Sequence, residues 1–193
     1  GAHYLLGKAY SMLGNQDGAI TELGMAIALQ PKFLRASVAR VRAIALKGKA
    51  ESAFEELRKL KLEFPEDPNV LSLEAWIAAR LGHVDKAIPI LRQLLKDNPD
   101  EDIVVQLSTA LWNADKKNDA LEVLKSWIQS HPKSIPARME LANLYALSDN
   151  YNDATRIWRD IIEIWPNQLL ALNNLASVLG ESNPVEATAF AER

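Results

Sequence analysis

Residues 134–166 read SIPARMELANLYALSDNYNDATRIWRDIIEIWP, and this stretch decides the fold. Apolar residues recur at helical spacing in both halves: Leu141, Ala142 and Tyr145 in the first, and Ala154, Trp158 and Ile161 in the second. A short polar segment separates the halves, and Pro166 closes the second. The pattern predicts two short amphipathic helices joined by a tight turn.

The same design recurs along the whole chain at a period of 33 or 34 residues. A small residue marks each second helix: Ala19, Ala53, Ala87, Ala120, Ala154 and Ala187. A proline closes each repeat: Pro31, Pro65, Pro99, Pro132 and Pro166. A large residue follows four positions after a marker: Leu23, Leu57, Leu91, Leu124 and Trp158. Because four residues make about one helical turn, each small and large pair is expected to share a buried face.

With this period the chain resembles the tetratricopeptide repeat family, whose unit is a 34-residue helix-turn-helix. The best local match is Leu6, Gly7 and Tyr10, followed by Ala19 and Pro31. The resemblance implies an all-α fold, an α-α superhelix (right-handed solenoid) of tandem repeats in one domain spanning 1–193. Five near-complete repeats are expected at about 1–33, 34–67, 68–100, 101–134 and 135–168, with a truncated sixth at 169–193.

The turns and helix starts carry residues suited to special backbone positions. A left-handed conformation is expected where each first helix ends: Gly14, Gly48, Gly82, Asp115 and Asp149. N-caps are expected three residues after four of these positions: Asp17, Asp85, Asn118 and Asn152. Asp67-Pro68 is expected to be an N-cap followed by the first helical residue. Pro89 is expected in the first turn of its helix, bending that helix without breaking it.

Composition excludes several classes of function. The net charge is -3 and the pI is near 5.7, which argues against a general nucleic-acid binder, and no nucleic acid is expected as a partner. With no cysteine and with His3, His83 and His131 scattered, we expect no metal site and no cofactor. No catalytic motif is present, so we expect no enzyme, and no apolar run is long enough for membrane insertion by this fragment.

In such an architecture the first helices line a concave groove. Helical phase assigns twelve residues to it: Tyr4, Lys8, Arg35, Arg42, Trp76, Arg80, Gln106, Trp112, Asn113, Asn143, Asn173 and Asn174. Indoles, guanidinium groups and amides suit an extended peptide, a protein segment or a polysaccharide. The alternative is that Trp76 and Trp112 pack into seams between helices. Trp127, Trp158 and Trp165 lie on second helices and are expected in the core or on the back surface.

Arg40 and Glu74 occupy equivalent positions one repeat apart, where apolar residues are usual. They are expected either to form a partly buried ion pair between neighbouring first helices or to extend their charged ends into solvent.

From His131 onward the sequence is similar to the C-terminal repeats of tetratricopeptide lipoproteins from bacterial PEP-CTERM/exosortase systems. The residues that carry this are ALNNLA at 171–176, the turn Glu181-Ser182-Asn183-Pro184 and the ending Ala191-Glu192-Arg193. The resemblance implies a periplasmic scaffold, anchored to the outer membrane of a Gram-negative bacterium and linked to exopolysaccharide production and protein sorting. Its anchoring cysteine would lie outside this sequence.

The sequence therefore predicts a non-catalytic scaffold that binds a peptide or protein segment. Three alternatives stay open: a repeat module of a larger enzyme, an RNA-binding helical-repeat array, and self-association through uncapped ends. The opening residues GAHYLLGKAY read like the inside of a helix, which indicates a piece of a longer protein.

Overall fold

The computed structural model describes residues 1–180 and 183–191, and within them the regular structure is entirely α-helical. The predicted all-α helical-repeat fold is confirmed. The helices are α1 (Ala2–Met12), α2 (Gln16–Leu29), α3 (Leu34–Leu46), α4 (Ala50–Glu63), α5 (Pro68–Arg80), α6 (Val84–Asp97), α7 (Glu101–Asn113), α8 (Lys117–Ser130), α9 (Ile135–Leu147), α10 (Tyr151–Ile164), α11 (Leu169–Leu179) and α12 (Pro184–Ala191). Glu181, Ser182, Glu192 and Arg193 of the finer resemblance lie outside the described residues.

The chain divides into two compact units, Gly1–Leu94 (unit 1) and Leu95–Arg193 (unit 2). In unit 1, α1 packs on α2, α2 on α3, and α3 on both α4 and α5. In unit 2, α7 packs on α8 and α9, α9 on α10, and α11 on both α10 and α12. The helix pairs α1–α2, α3–α4, α7–α8, α9–α10 and α11–α12 thus pack as expected, while the single domain over 1–193 stays a prediction.

The small and large markers form the core as predicted. Ala19, Ala53, Ala87, Ala120 and Ala154 are each 0% exposed, and the large residue four positions after each is nearly as inaccessible. Burying one such leucine contributes about 1.5–3 kcal/mol to stability. Each helix has at most 14 residues and would be marginal alone in water, so this packing supplies most of its stability.

The turns that end the first helices adopt the expected left-handed backbone. The φ angles are 77° at Gly14, 84° at Gly48, 82° at Gly82, and 58° at both Asp115 and Asp149. Glycine tolerates this conformation because it lacks a Cβ, and aspartate tolerates it better than most residues.

The N-caps of the second helices differ from the prediction because these helices begin two residues earlier than the predicted N-caps imply. The N-cap of α2 is Asn15, whose Oδ1 accepts from the Gly18 N–H at 3.0 Å, and Asp17 lies in the first turn. In α10 the N-cap is Asn150, not Asn152. Asp85 and Asn118 likewise lie inside α6 and α8. The negative charges of Asp17 and Asp85 still lie in the first turn of a helix, where the positive end of the helix dipole stabilises them.

Two predictions about prolines have different outcomes. Asp67 is the N-cap of α5, where its Oδ1 accepts from the Asn69 N–H at 2.8 Å, and Pro68 is the first helical residue as predicted. Pro89 is the sixth residue of α6, beyond the first turn, so its predicted position is wrong. The helix nevertheless continues unbroken to Asp97.

Among the described residues, no helix combines the length and apolar character needed to cross a lipid bilayer.

Candidate peptide-binding surface

Three first helices of unit 1 lie side by side, with α3 in contact with both α1 and α5. These helices carry six of the twelve residues predicted for the groove, and we call the six the unit-1 surface: Tyr4, Lys8, Arg35, Arg42, Trp76 and Arg80. Lys8, Arg35 and Arg80 are exposed, and the other three are half-buried. All six are therefore at least partly open to solvent.

Trp76 on α5 contacts two cations of the unit-1 surface. The guanidinium carbon of Arg42 on α3 lies 5.1 Å from the indole centroid, and that of Arg80, one helical turn along α5, lies 5.2 Å from it. Both distances are within the range of cation–π attraction. Trp76 also packs against the buried cluster that contains Leu73 and Ile77. The two sequence alternatives are therefore not exclusive, because Trp76 packs into the helix seam and still contacts two surface cations.

A second aromatic and cation pair lies on α1. The Nζ of Lys8 is 5.9 Å from the ring centroid of Tyr4, and the Tyr4 ring meets the Phe33 ring at 4.9 Å between centroids with a 49° tilt. Tyr4 and Phe33 both pack against the buried cluster of α2 and α3. The Tyr4 ring, like the Trp76 indole, thus packs on buried residues, while the neighbouring Lys8 remains exposed.

The predicted Arg40–Glu74 pair is wrong, because both residues pair with α4 instead. Arg40 Nη1 donates to both carboxylate oxygens of Glu56, at 2.7 and 2.6 Å. Lys61 Nζ donates to Glu74 at 2.5 Å. The alternative, in which both charged ends extend freely into solvent, is wrong as well. These pairs tie the first helices of unit 1 to a second helix.

The other six predicted residues lie in unit 2 and form a less charged set. Asn174 on α11 donates through Nδ2 to Oδ1 of Asn143 on α9 at 3.3 Å. Trp112 is half-buried, with Lys117 Nζ 5.4 Å from its ring centroid. Of the remaining three amides, Asn113 and Asn173 are exposed and Gln106 is half-buried.

Of the tryptophans predicted in the core or on the back surface, one is in the core, and the back-surface position of the other two stays a prediction. Trp158 is 2% exposed and belongs to the core of unit 2. Trp165 is half-buried at the C-cap of α10. Trp127 is half-buried and stacks on His131, with 3.8 Å between ring centroids and 16° between planes.

Sequence reasoning missed an open cleft of about 710 Å³ beside Trp127 in unit 2. Its walls include the Trp127–His131 stack and Glu101, which accepts a hydrogen bond from the Ser134 hydroxyl. The signal was the large residue itself. Trp127 occupies a repeat position at which the other complete repeats bury alanine, leucine or isoleucine. An indole is too large for that position, so part of it remains outside the core.

Titratable groups offer little sign of catalysis. Within residues 1–180 and 183–191, no cluster of three or more histidine or acidic side chains is arranged to hold a metal ion. Tyr151 donates to Asp149 Oδ1 at 3.2 Å, and this hydrogen bond, together with the nearby negative charge, raises the pKa of the Tyr151 phenol. The ordinary phenol pKa of about 10 already keeps this side chain protonated at neutral pH, so the shift does not change its charge there.

Comparison with known families supports the tetratricopeptide resemblance over two segments. Models described as tetratricopeptide repeat match residues 72–135 and residues 2–32. Such repeats are typical of protein–protein interaction scaffolds. No curated protein sequence matches the chain significantly.

Solved structures share the fold. A thermophilic tetratricopeptide repeat protein of Thermus thermophilus superposes with a TM-score of 0.77 at 22% identity, covering 92% of this chain and 97% of that one. A tetratricopeptide repeat protein of Parabacteroides merdae gives 0.63 at 19% identity, with coverage of 100% and 78%. YrrB, described as a repeat protein with an unusual peptide-binding site, gives 0.54 at 19% identity, with 88% of each chain covered. The chain therefore has the fold of tetratricopeptide repeat proteins.

Proposed function

We propose that this chain is a non-catalytic protein–protein interaction scaffold that holds a peptide or an extended protein segment on the unit-1 surface. The observation that carries the proposal is the contact of Arg42 and Arg80 with one half-buried indole, Trp76. Tryptophan and arginine are among the residue types most enriched at binding hot spots. The peptide-binding site in the description of YrrB supports the idea by analogy of fold alone.

The Trp76 side chain already packs on buried residues without a ligand, which favours binding. Trp76 is held from below by the buried cluster of α3, α4 and α5, and its cation neighbours come from two helices that pack together. A side chain that is already ordered loses little conformational entropy when a partner covers it. The proposal therefore places the strongest contact of the partner at Trp76.

The test is selection of binders from a random dodecapeptide phage library on the intact chain. We expect families of peptides that bind the wild type and lose binding to the Arg80→Gln variant. Arg80 is the right residue to change because it is exposed, whereas truncating Trp76 would also remove packing from the core. Arg58→Gln, at an exposed position on α4, is the matched control and should retain the peptides.

Peptides that bind equally to wild type and Arg80→Gln but lose binding to Arg58→Gln would move the site to the second helices and contradict the proposal. Recovery of no binding peptide at all would also count against it.

We further propose, from the resemblance of residues 171–176, that the scaffold acts in bacterial exopolysaccharide production and PEP-CTERM protein sorting, facing the periplasm. In the structure this segment lies in α11, where Leu172 and Leu175 are buried and Asn173 is exposed. Fractionation of a native host, with an antibody against this chain, tests the compartment. Signal in the outer-membrane fraction is expected, and signal confined to the cytoplasmic fraction would overturn this part of the proposal.

A further inference from the structure

The first helices of unit 1 carry an excess of positive charge in a chain whose net charge is -3. Neither α1 nor α3 contains an acidic residue, and α5 contains one, Glu74. Five cations lie on these helices: Lys8, Arg35, Arg40, Arg42 and Arg80. The Arg40 charge is balanced by Glu56, and the Glu74 charge is balanced by Lys61.

Three of the remaining four cations are not balanced by an acidic side chain in the part of the chain that the structure describes. Within the described chain, Lys8, Arg35 and Arg80 form no ion pair with an acidic side chain, and Lys8 and Arg80 contact aromatic rings instead. A guanidinium group stacked on an indole keeps its N–H donors at the edge of the plane, where they can bind a carboxylate. Arg80 thus retains the donors that recognise anions.

We propose that the ligand of the unit-1 surface is an acidic protein segment, whose side-chain carboxylates bind these three cations while an apolar residue contacts Trp76. This inference rests on the proposed function and names the chemistry of its ligand. The three first helices supply charges of one sign on adjacent elements, and a carboxylate-rich chain is the complementary partner.

The geometry also sets the length of that segment. Neighbouring packed helices lie about 8–10 Å apart, so the three first helices span roughly 16–20 Å between the outer axes. An extended chain advances about 3.3 Å per residue, and a segment of about six residues therefore crosses all three helices. Arg35 near the start of α3 and Arg80 at the end of α5 also differ by about 16 Å along the helix axes, so six residues suffice for these two cations and Lys8 needs a longer segment.

An acidic peptide fits the charge distribution better than a nucleic acid does. The helices α7 and α9 of unit 2 carry Glu101, Asp102 and Glu140 against a single cation, Arg138. A long phosphate backbone requires an extended basic stripe, and among the first helices the excess of basic residues is confined to unit 1. A short acidic segment needs only that unit.

The experiment is fluorescence anisotropy of the intact chain with labelled hexapeptides. The probe contains Glu and Asp around one central Leu, with both termini blocked, and its isosteric control replaces every acid by Gln or Asn. We expect the acidic probe to bind about tenfold more tightly than the control and to weaken as NaCl is raised from about 50 to 300 mM. A second acidic probe with a free C-terminus separates side-chain recognition from recognition of a terminal carboxylate.

Variants locate the binding. Arg35→Gln and Arg80→Gln should each weaken the acidic probe about threefold to tenfold, while Arg58→Gln on α4 should change its affinity by less than about twofold. Circular dichroism verifies that the three variants fold.

Three results would overturn the inference. Equal affinity for the acidic and neutral probes, with both lost in Arg80→Gln, removes the acidic ligand but leaves the proposed peptide surface in place. Absence of binding by either probe up to millimolar concentration, together with an unsuccessful phage selection, removes both. Tighter binding of a labelled oligouridine than of the acidic probe, with loss in the same two variants, replaces the protein ligand by single-stranded RNA.

Discussion

At the residue scale, two glycines of the first repeat have opposite requirements. A Cβ on Gly7 would lie 2.6 Å from Leu23 Cγ and 3.3 Å from the Ala19 carbonyl oxygen. A Cβ on Gly24 would meet only Arg40 Nε, at 3.8 Å, which is an ordinary contact. The close approach of α1 and α2 therefore depends on the missing side chain at Gly7, whereas Gly24 merely lowers the helix propensity of α2.

We predict opposite stability effects for the same chemical change at these two positions. Gly7→Ala should lower the free energy of unfolding by about 1–3 kcal/mol, because the added methyl group overpacks the contact with Leu23. Gly24→Ala should raise it by about 0.5–1 kcal/mol, because alanine is the better helix former. Urea unfolding followed by circular dichroism measures both.

Each glycine variant is the control for the other. If Gly24→Ala lowered the free energy of unfolding as much as Gly7→Ala, any alanine in this repeat would be harmful. If Gly7→Ala left that free energy unchanged, α1 could move away from Leu23 at little cost.

At the element scale, the ion pairs connect first helices to α4. A double-mutant cycle on Arg40 and Glu56 should give a coupling of about 0.5–1.5 kcal/mol, since one guanidinium nitrogen contacts both carboxylate oxygens and both side chains are mostly buried. The cycle on Arg40 and Glu74 should give a coupling near zero. Thermal or urea unfolding of the single and double Gln variants supplies the free energies of each cycle.

The reverse order, with the larger coupling between Arg40 and Glu74, would restore the ion pair between first helices that the equivalent repeat positions suggested. Loss of Glu56 alone should be more damaging than loss of an exposed acid such as Glu55, because it leaves a half-buried guanidinium without its partner.

Most of the helices could be predicted from the sequence because the pattern repeats. Side-chain contacts between residues on different helices could not. The marker alanines, the closing prolines and the left-handed turns were all readable, since each follows from a backbone or packing requirement within one repeat. The partner of Arg40 was not, because Glu56 lies on α4 and nothing in the register of the first helices indicates it. Helix starts differ from the prediction by two residues where more than one polar residue could serve as the N-cap, as at Asn15 and Asp17.

At the scale of the whole molecule, the net charge does not indicate how basic residues are distributed between the two units. A net charge of -3 argues against binding to polyanions in general, yet the first helices of unit 1 are basic and those of unit 2 are not. The candidate residues of unit 1 could be predicted from helical phase. Their contacts around Trp76 could not, because they depend on side-chain directions from α3 and α5 together.

The most direct measurement is a ¹⁵N–¹H NMR titration of the five tryptophan indole groups with the acidic hexapeptide. The tryptophans sample different parts of the chain, with Trp76 on a first helix of unit 1 and Trp127 and Trp165 on or beside second helices of unit 2. The account predicts a saturable shift of the Trp76 indole resonance, with those of Trp127, Trp158 and Trp165 unchanged. A shift at Trp127 with Trp76 unchanged would place the ligand in the cleft of unit 2 and contradict the unit-1 surface.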